Sequence, residues 1–428
     1  MALPLTSQDR RLINDLGLVR RDPITGALVS GDRNVMTGGI PAARNFAPRL
    51  RYGNAVSSGA NSTDRTNQQA WVFPFDIYGF QIGWESIETV DKTISLTRWG
   101  VCGAAGGTMT ATLDDVANFH TNYAATPQSL TYGGAADGTI AQRLAADVPG
   151  ATLWSDVAYG KVLAGQALVV RALQTTTSAY PLSPNGVGRA DALANNPAFS
   201  VAGWTDATDR VTTVTSWGTT SANFTANLPI AFLNVLTDVP TCSVAVVGDS
   251  TTTGFTNSGT QSYPPVQRAA ELLGDSLGFR FVPYSRGWSG KEASAYYTYA
   301  LAVIASTYRP DVLIYQLWSQ NNTSSTTYEG ELARAMDVVS RCRRAGIAPV
   351  LMTGIPFVGL SLAKDNERKA INAEIKTWGV PVIDADAVIT DGASPAGYLA
   401  AYGAAAHPNY AGYTALAAEY ARVLGSSA

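Results

Sequence analysis

The stretch Val244-Ala245-Val246-Val247-Gly248-Asp249-Ser250-Thr251-Thr252-Thr253-Gly254 decides how the chain is read. Four compact apolar residues run into Gly, Asp and Ser, which favour turns. A short apolar run bounded by turn residues reads as a buried strand. The same rhythm continues downstream. Pro265 to Leu277 reads as a helix with Pro near its first turn, where its missing N–H costs nothing. Phe279 to Val282 reads as a strand, Glu292 to Ser306 as a helix and Asp311 to Tyr315 as a strand. Thr326 and Glu329 have capping-box spacing and open a helix reaching about Arg344. Strand Ala348 to Met352, helix Leu362 to Trp378, strand Val380 to Ile383 and helix Tyr410 to Leu424 complete the series. Such alternation predicts an α/β domain, a parallel sheet covered on both faces. In that architecture ligands sit beyond the carboxyl ends of the strands, where Ser250 falls.

Several known turns can be excluded at Gly248–Gly254. A P-loop needs GxxxxGK[ST]; the glycines are one residue too far apart and no Lys follows. A nucleophile elbow needs GxSxG, but position 252 is Thr. A dinucleotide loop needs GxGxxG. No cofactor is therefore expected. A serine needs a base to become a nucleophile, and the sequence has two histidines. His407 precedes the final helix and can reach the same sheet edge, whereas His120 lies in the other half and reads as a surface or packing residue.

Upstream of about residue 240 the composition changes. Short alternating runs such as Trp71 to Phe75, Lys92 to Leu96 and Arg210 to Val214 are broken by Gly, Asn and Pro. They predict a β-rich domain over 71–240, a sandwich or jelly roll. The aromatic series Trp71, Phe73, Phe75, Tyr78, Phe80 and Trp84 reads as filling for that core rather than as a platform for sugar rings. Residues 1–70 are expected to form an arm or linker, with a short helix from Ser7 to Leu16 stopped at Gly17.

With 46% hydrophobic residues the chain can bury a large core, which excludes wholesale disorder. Only 15% of residues are charged and the net charge is −3. A basic footprint is absent, so no nucleic-acid partner is expected; Arg341, Arg343 and Arg344 read as the solvated end of a helix. Cys102, Cys242 and Cys342 are far apart and odd in number, which argues against disulfides and a zinc site; no metal is expected. No apolar run is long enough to span a membrane, and the N-terminus lacks the apolar core of a secretory signal.

Four blocks, taken in order, resemble the SGNH (GDSL-type) hydrolases. They are Gly248-Asp249-Ser250, Arg286-Gly287-Trp288-Ser289-Gly290, Ser319-Gln320-Asn321-Asn322, and His407-Pro408-Asn409 with Gly412 and Tyr413. The resemblance covers about residues 241–428. It implies a flavodoxin-like three-layer sandwich and a serine esterase. Ser250 would be the nucleophile and His407 its base. The Ser250 and Gly290 backbone N–H groups and the Asn321 side chain would form the oxyanion hole. Asp249 is expected to hold the turn. The blocks depart from the family at Ser285, Ser319 and Asn322, and Ala404 replaces the acid that orients the histidine. Three possibilities follow: a Ser–His dyad oriented by a backbone carbonyl, a substitute acid from Asp384, Asp386 or Asp391, or a weak or silent site.

The expected substrate is an O-acylated, chiefly O-acetylated, cell-surface polysaccharide. The alternatives are a catalytically silent glycan-binding or structural virion module, and a lipid esterase or thioesterase. The low charge, the Thr/Gly/Asn-rich first half and the absent signal together resemble phage tail or receptor-binding proteins. That resemblance implies a virion or signal-less extracellular location, with the cytoplasm as the alternative, and a homo-oligomer, a trimer if the protein is a tail component.

Overall fold

The computed structural model describes residues 19–21, 28–30, 44–46, 56–57, 64–73, 75–85, 91–102, 127–142, 144, 151–164, 166–175, 181–182, 201–206, 230–252, 254, 264–274, 276–288, 290–306, 309–322, 327–357, 359–403 and 406–427. Two compact units divide the chain, one built around Asp238–Asn257 and Pro264–Ala428, the other around Phe46–Thr237. The expected helix from Ser7, the strand at Arg210–Val214, His120 and Ala404 lie outside the described residues.

The unit around Phe46–Thr237 is built of antiparallel strands: β1 (Asp64–Val72), β2 (Ile77–Glu85), β3 (Lys92–Cys102), β4 (Gln128–Leu130), β5 (Gly138–Ile140), β6 (Leu153–Trp154), β7 (Ala158–Val162), β8 (Ala167–Thr175), β9 (Val201–Asp206) and β10 (Ile230–Leu236). One sheet runs β9-β1-β8-β3-β4, with β5 also on β3; another has β6-β2-β10, with β7 also on β2. The sheets meet through aromatic rings, Phe80 of β2 standing edge-on to Trp99 of β3 at 5.2 Å. Phe73, Phe75, Phe80 and Trp84 are buried, as core filling requires. Tyr78 is half-buried, with the Lys161 ammonium 5.4 Å over its ring.

The second unit is a parallel sheet of β11 (Thr241–Asp249), β12 (Arg280–Trp288), β13 (Val312–Gln316), β14 (Ala348–Met352) and β15 (Val382–Ile383), in spatial order β12-β11-β13-β14-β15. Helices α1 (Pro265–Leu273), α2 (Ala293–Ala305), α3 (Tyr328–Ala345), α4 (Leu362–Ile375), α5 (Ala385–Ile389) and α6 (Tyr410–Ser427) connect or follow the strands. This is the doubly wound order of flavodoxin-like folds. Right-handed crossovers send α1 to one face and α2, α3 and α4 to the other, because the chain reverses direction across the sheet after β12. The packing agrees: α1 lies on α6, α2 on α3, and α3 on α4. Val244, Ala245, Val246 and Val247 are fully buried, which explains their uninterrupted apolar run.

The element boundaries differ locally from the expectation. Helix α3 is capped by Thr327, whose side chain accepts from Gly330 N, not by a Thr326–Glu329 box. Helix α1 stops at Leu273, followed by Gly274 at φ 48. Strand β12 continues to Trp288, far beyond Val282, because it pairs with β11 along its whole length. Helix α5 was not expected from the sequence; Asp384 caps it by accepting from Ala387 N. The cations Arg343 and Arg344 do occupy the exposed last turn of α3.

Candidate active site

Strand β11 is where the chain order reverses, with β12 on one side and β13 on the other. In doubly wound sheets such a switch point is where ligands bind, beyond the carboxyl ends of the strands. Gly248 is the last small step before that edge. A Cβ at this position would run into Gln316 Oε1 and come 2.6 Å from Thr252 Cγ2, so only glycine fits. Asp249 then folds the chain back: its Oδ1 accepts from Thr251 N at 2.9 Å and Thr251 Oγ1 at 2.7 Å. Its N–H donates to Gln316 Oε1 at 3.2 Å, and its Oδ2 accepts from Ser319 Oγ at 2.8 Å. A carboxylate so enclosed is a brace between the ends of β11 and β13.

Ser250 sits on this turn, 2% exposed. Its Oγ lies 2.7 Å from His407 Nε2, although 157 residues separate them in the chain. The histidine loop is held at several points. The Tyr398 hydroxyl donates to Ala406 O at 3.0 Å, and Asn409 N donates to Tyr402 O at 2.7 Å. Asn409 Nδ2 donates to Ala401 O, and Asn409 Oδ1 accepts from Gly412 N at the start of α6. Gly412 is required by crowding, since a Cβ would stand 2.9 Å from Pro408 Cβ. Burial first, and then the Asp249 carboxylate, push the Tyr398 phenol far above its ordinary pKa, so it remains a neutral donor.

A third loop, after β13, joins these two. Ser319, where the resembled family has glycine, is fully buried. Its Oγ faces the Asp249 carboxylate and Lys291 O at 3.0 Å, and accepts from Asn321 N at 3.1 Å. Asn321 Nδ2 donates to Lys291 O and to Ser319 Oγ, each at 3.1 Å. Asn321 thus grips the loop carrying Gly290, which adopts φ 75. The turn carrying Ser250, residue Asn321 and the Gly290 loop are therefore linked by hydrogen bonds through Asp249, Ser319 and Lys291. The Asn321 amide, however, is turned toward this chain. Asn322 accepts from Ala293 N at the start of α2 and donates to Glu331 Oε1 at 3.0 Å. An aspartate at 322 could accept but not donate, which gives Asn its physical reason here. Glu331 is itself buried, and burial raises its carboxyl pKa.

The three acids considered as orienting groups lie elsewhere, and none of their contacts is to His407. Asp384 caps α5 and pairs with Lys376 at 2.5 Å. Asp386 pairs with Arg368 at 2.5 Å and accepts from Asn372 Nδ2. Arg368 also pairs with the buried Asp365, so Asp386 serves a buried cation rather than an imidazole. Asp391 Oδ1 accepts from Gly397 N and Ala393 N at 2.9 Å, and these backbone donors hold its pKa below the usual value. Sequence reading passed over Ser319, Gln316 and Gln320. The one signal for Ser319 was its departure from the family's glycine. Gln320 Nε2 stands 3.4 Å from His407 Nε2. Among the described residues no group of three or more His, Cys, Asp or Glu side chains is arranged to hold a metal ion, and no helix is long and apolar enough to cross a membrane.

The doubly wound sheet thus carries a serine–histidine pair at its switch point. Residues 246–415 match the model of the GDSL-like Lipase/Acylhydrolase family, and the matched stretch spans the three loops just described. No curated protein matches the chain. Solved structures similar to it include a GDSL-like lipase from Bacteroides thetaiotaomicron, 15% identical over 44% of this chain and 89% of that one, TM-score 0.34. An acetylxylan esterase from Geobacillus stearothermophilus is 18% identical over 43% and 94%, TM-score 0.33. A member of the lipolytic G-D-S-L family from Veillonella parvula is 14% identical over 43% and 98%, TM-score 0.32.

Proposed function

We propose that the α/β unit is a serine esterase that removes O-acyl groups, chiefly acetyl, from a cell-surface polysaccharide. The observation that carries this is the 2.7 Å approach of Ser250 Oγ to His407 Nε2 at the switch point of the sheet. At that distance the hydroxyl proton passes to Nε2 as Oγ bonds to the ester carbon. Negative charge then gathers on the former carbonyl oxygen. The backbone N–H groups of Ser250 and Gly290 are the proposed donors to it, and a preorganised donor of this kind contributes roughly 3–4 kcal/mol. The carbon–oxygen bond to the alcohol breaks, and the proton on Nε2 goes to the departing oxygen. Water then gives its proton to Nε2 and attacks the acyl-serine. Oγ leaves, retaking the proton, and a carboxylic acid is released.

Asp384, Asp386 and Asp391 take no part in this reading, because each is bound to other partners. His407 acts from a loop fixed through Ala406, Asn409 and Gly412. The β-rich unit is proposed to position the polymer, and a homotrimeric phage tail protein is the setting that its composition favours; mass measurement in solution tests the trimer.

Nitrophenyl acetate turnover by Ser250→Ala is the direct test. A loss of about 10³-fold or more is expected for a nucleophile that works with its base. Unchanged turnover would leave a folded scaffold without acyl chemistry. Acetate release from an acetylated glycan tests the substrate, and a preference for octanoyl over acetyl nitrophenyl esters would move the assignment to lipid esters.

A further inference from the structure

We infer that Gln320 is the residue that meets the alcohol half of the ester, and so selects poor, hydroxyl-bearing alcohols such as sugars. The inference rests on the ester-hydrolase reading of Ser250 and His407. It begins from one atom, His407 Nε2, which has Ser250 Oγ at 2.7 Å and Gln320 Nε2 at 3.4 Å. In the proposed reaction Nε2 protonates the departing oxygen, which must come within hydrogen-bond reach of that nitrogen. The Gln320 amide borders the same small volume. The oxyanion forms on the other branch of the acyl carbon, toward the backbone of Ser250 and Gly290. The 3.4 Å contact is long for a hydrogen bond, as expected of a donor whose partner arrives with the substrate.

The loop is built to leave residue 320 for this task. Trp318 is buried and held at φ 55, a left-handed conformation uncommon outside glycine. It is kept there by Gln316 Nε2, which donates to its carbonyl at 3.2 Å, and by Gly354, where a Cβ would stand 2.8 Å from Trp318 Cβ. Ser319, Asn321 and Asn322 then turn their polar groups inward, to Asp249, Lys291, Ala293 and Glu331. Gln320 is the member of the tetrad whose amide instead faces the imidazole, from a half-exposed position. A carboxamide both donates and accepts. Its N–H supports the charge on the leaving oxygen, while Oε1 can accept from a neighbouring hydroxyl of the same sugar.

The test compares kcat/KM for two acetates with different alcohols, nitrophenyl acetate and a mono-acetylated methyl glycoside. Nitrophenolate leaves without help, so it needs no donor; a sugar alkoxide does. Gln320→Ala is expected to lower kcat/KM on the glycoside about tenfold and on nitrophenyl acetate by no more than about twofold, the size of one lost hydrogen bond on one substrate only. Gln320→Met, similar in size and without an N–H donor, should behave the same way, which separates the effect from lost packing. Equal losses on both acetates would place the amide at the oxyanion, and no loss on either would make it a bystander; both outcomes overturn the inference. The underlying reading fails separately, if Ser250→Ala still hydrolyses both.

Discussion

Both units bury polar groups, but they arrange them differently. In the β-rich unit two sets of buried groups close on one another inside the core. Trp84 Nε1 donates to the Tyr132 hydroxyl at 2.8 Å, that hydroxyl meets Thr97 Oγ1 at 3.0 Å, and Thr152 Oγ1 donates to the buried Glu85. Each set is a finished knot, and its effect ends in stability. In the α/β unit, Asp249, Ser250, Thr251, Thr252, Gln316 and Ser319 are all 2% exposed or less, yet they gather at one edge of the sheet. They brace three loops so that one hydroxyl, one imidazole and one amide meet at that edge. A closed polar network adds rigidity to a fold, whereas one placed at the carboxyl ends of parallel strands also fixes a reactive geometry.

The comparison can be broken first at its strongest point. Asp249→Ala removes the acceptor of Thr251 N, Thr251 Oγ1 and Ser319 Oγ and leaves the buried Thr251 N–H without that partner. A loss of about 2–4 kcal/mol in unfolding free energy is expected, together with loss of turnover. Denaturant unfolding alongside nitrophenyl acetate hydrolysis checks both, and full activity in this variant would deny Asp249 its bracing role. A smaller effect is expected from Gly248→Ala, whose methyl must displace Gln316 or Thr252. Overpacking of this kind costs about 1–3 kcal/mol, and a lowered kcat with little change in KM would show that the serine turn has shifted.

The smallest effect sharpens the contrast from the other side. Tyr132→Phe orphans the Trp84 N–H and should destabilise the β-rich unit by about 1–2 kcal/mol while leaving turnover of nitrophenyl acetate as it was. Burial holds the Tyr132 phenol at about 12, above its ordinary 10.0. The folded state thus keeps a proton that the unfolded chain releases. This contribution to stability is intact below about pH 10 and is lost as pH rises toward 12. In Tyr132→Phe the decline over that window should be shallower, as melting followed by tryptophan fluorescence can measure.

What the sequence determined by itself was local. Val244–Val247 had to form a buried strand, Gly248-Asp249-Ser250 had to turn, and the repeating strand and helix signals led to a parallel sheet covered on both faces. Those properties follow from side-chain branching, turn chemistry and periodicity within a few residues. The pairing of Ser250 with His407 could be expected from their places at a strand end and before the last helix, and from the family resemblance, but it was the sheet order β12-β11-β13-β14-β15 that brought them to 2.7 Å. Tertiary structure alone decided the rest. Asp384, Asp386 and Asp391 could not be told apart from orienting acids until Lys376, Arg368 and the Gly397 backbone were seen to claim them. The Asn321 amide, expected at the oxyanion, turns to Lys291 and Ser319, and the amide beside His407 is that of Gln320, because the left-handed Trp318 and the Ser319–Asp249 bond set which side chain faces inward. A side chain's residue type is written in the chain; its direction depends on contacts from strands and loops many residues away.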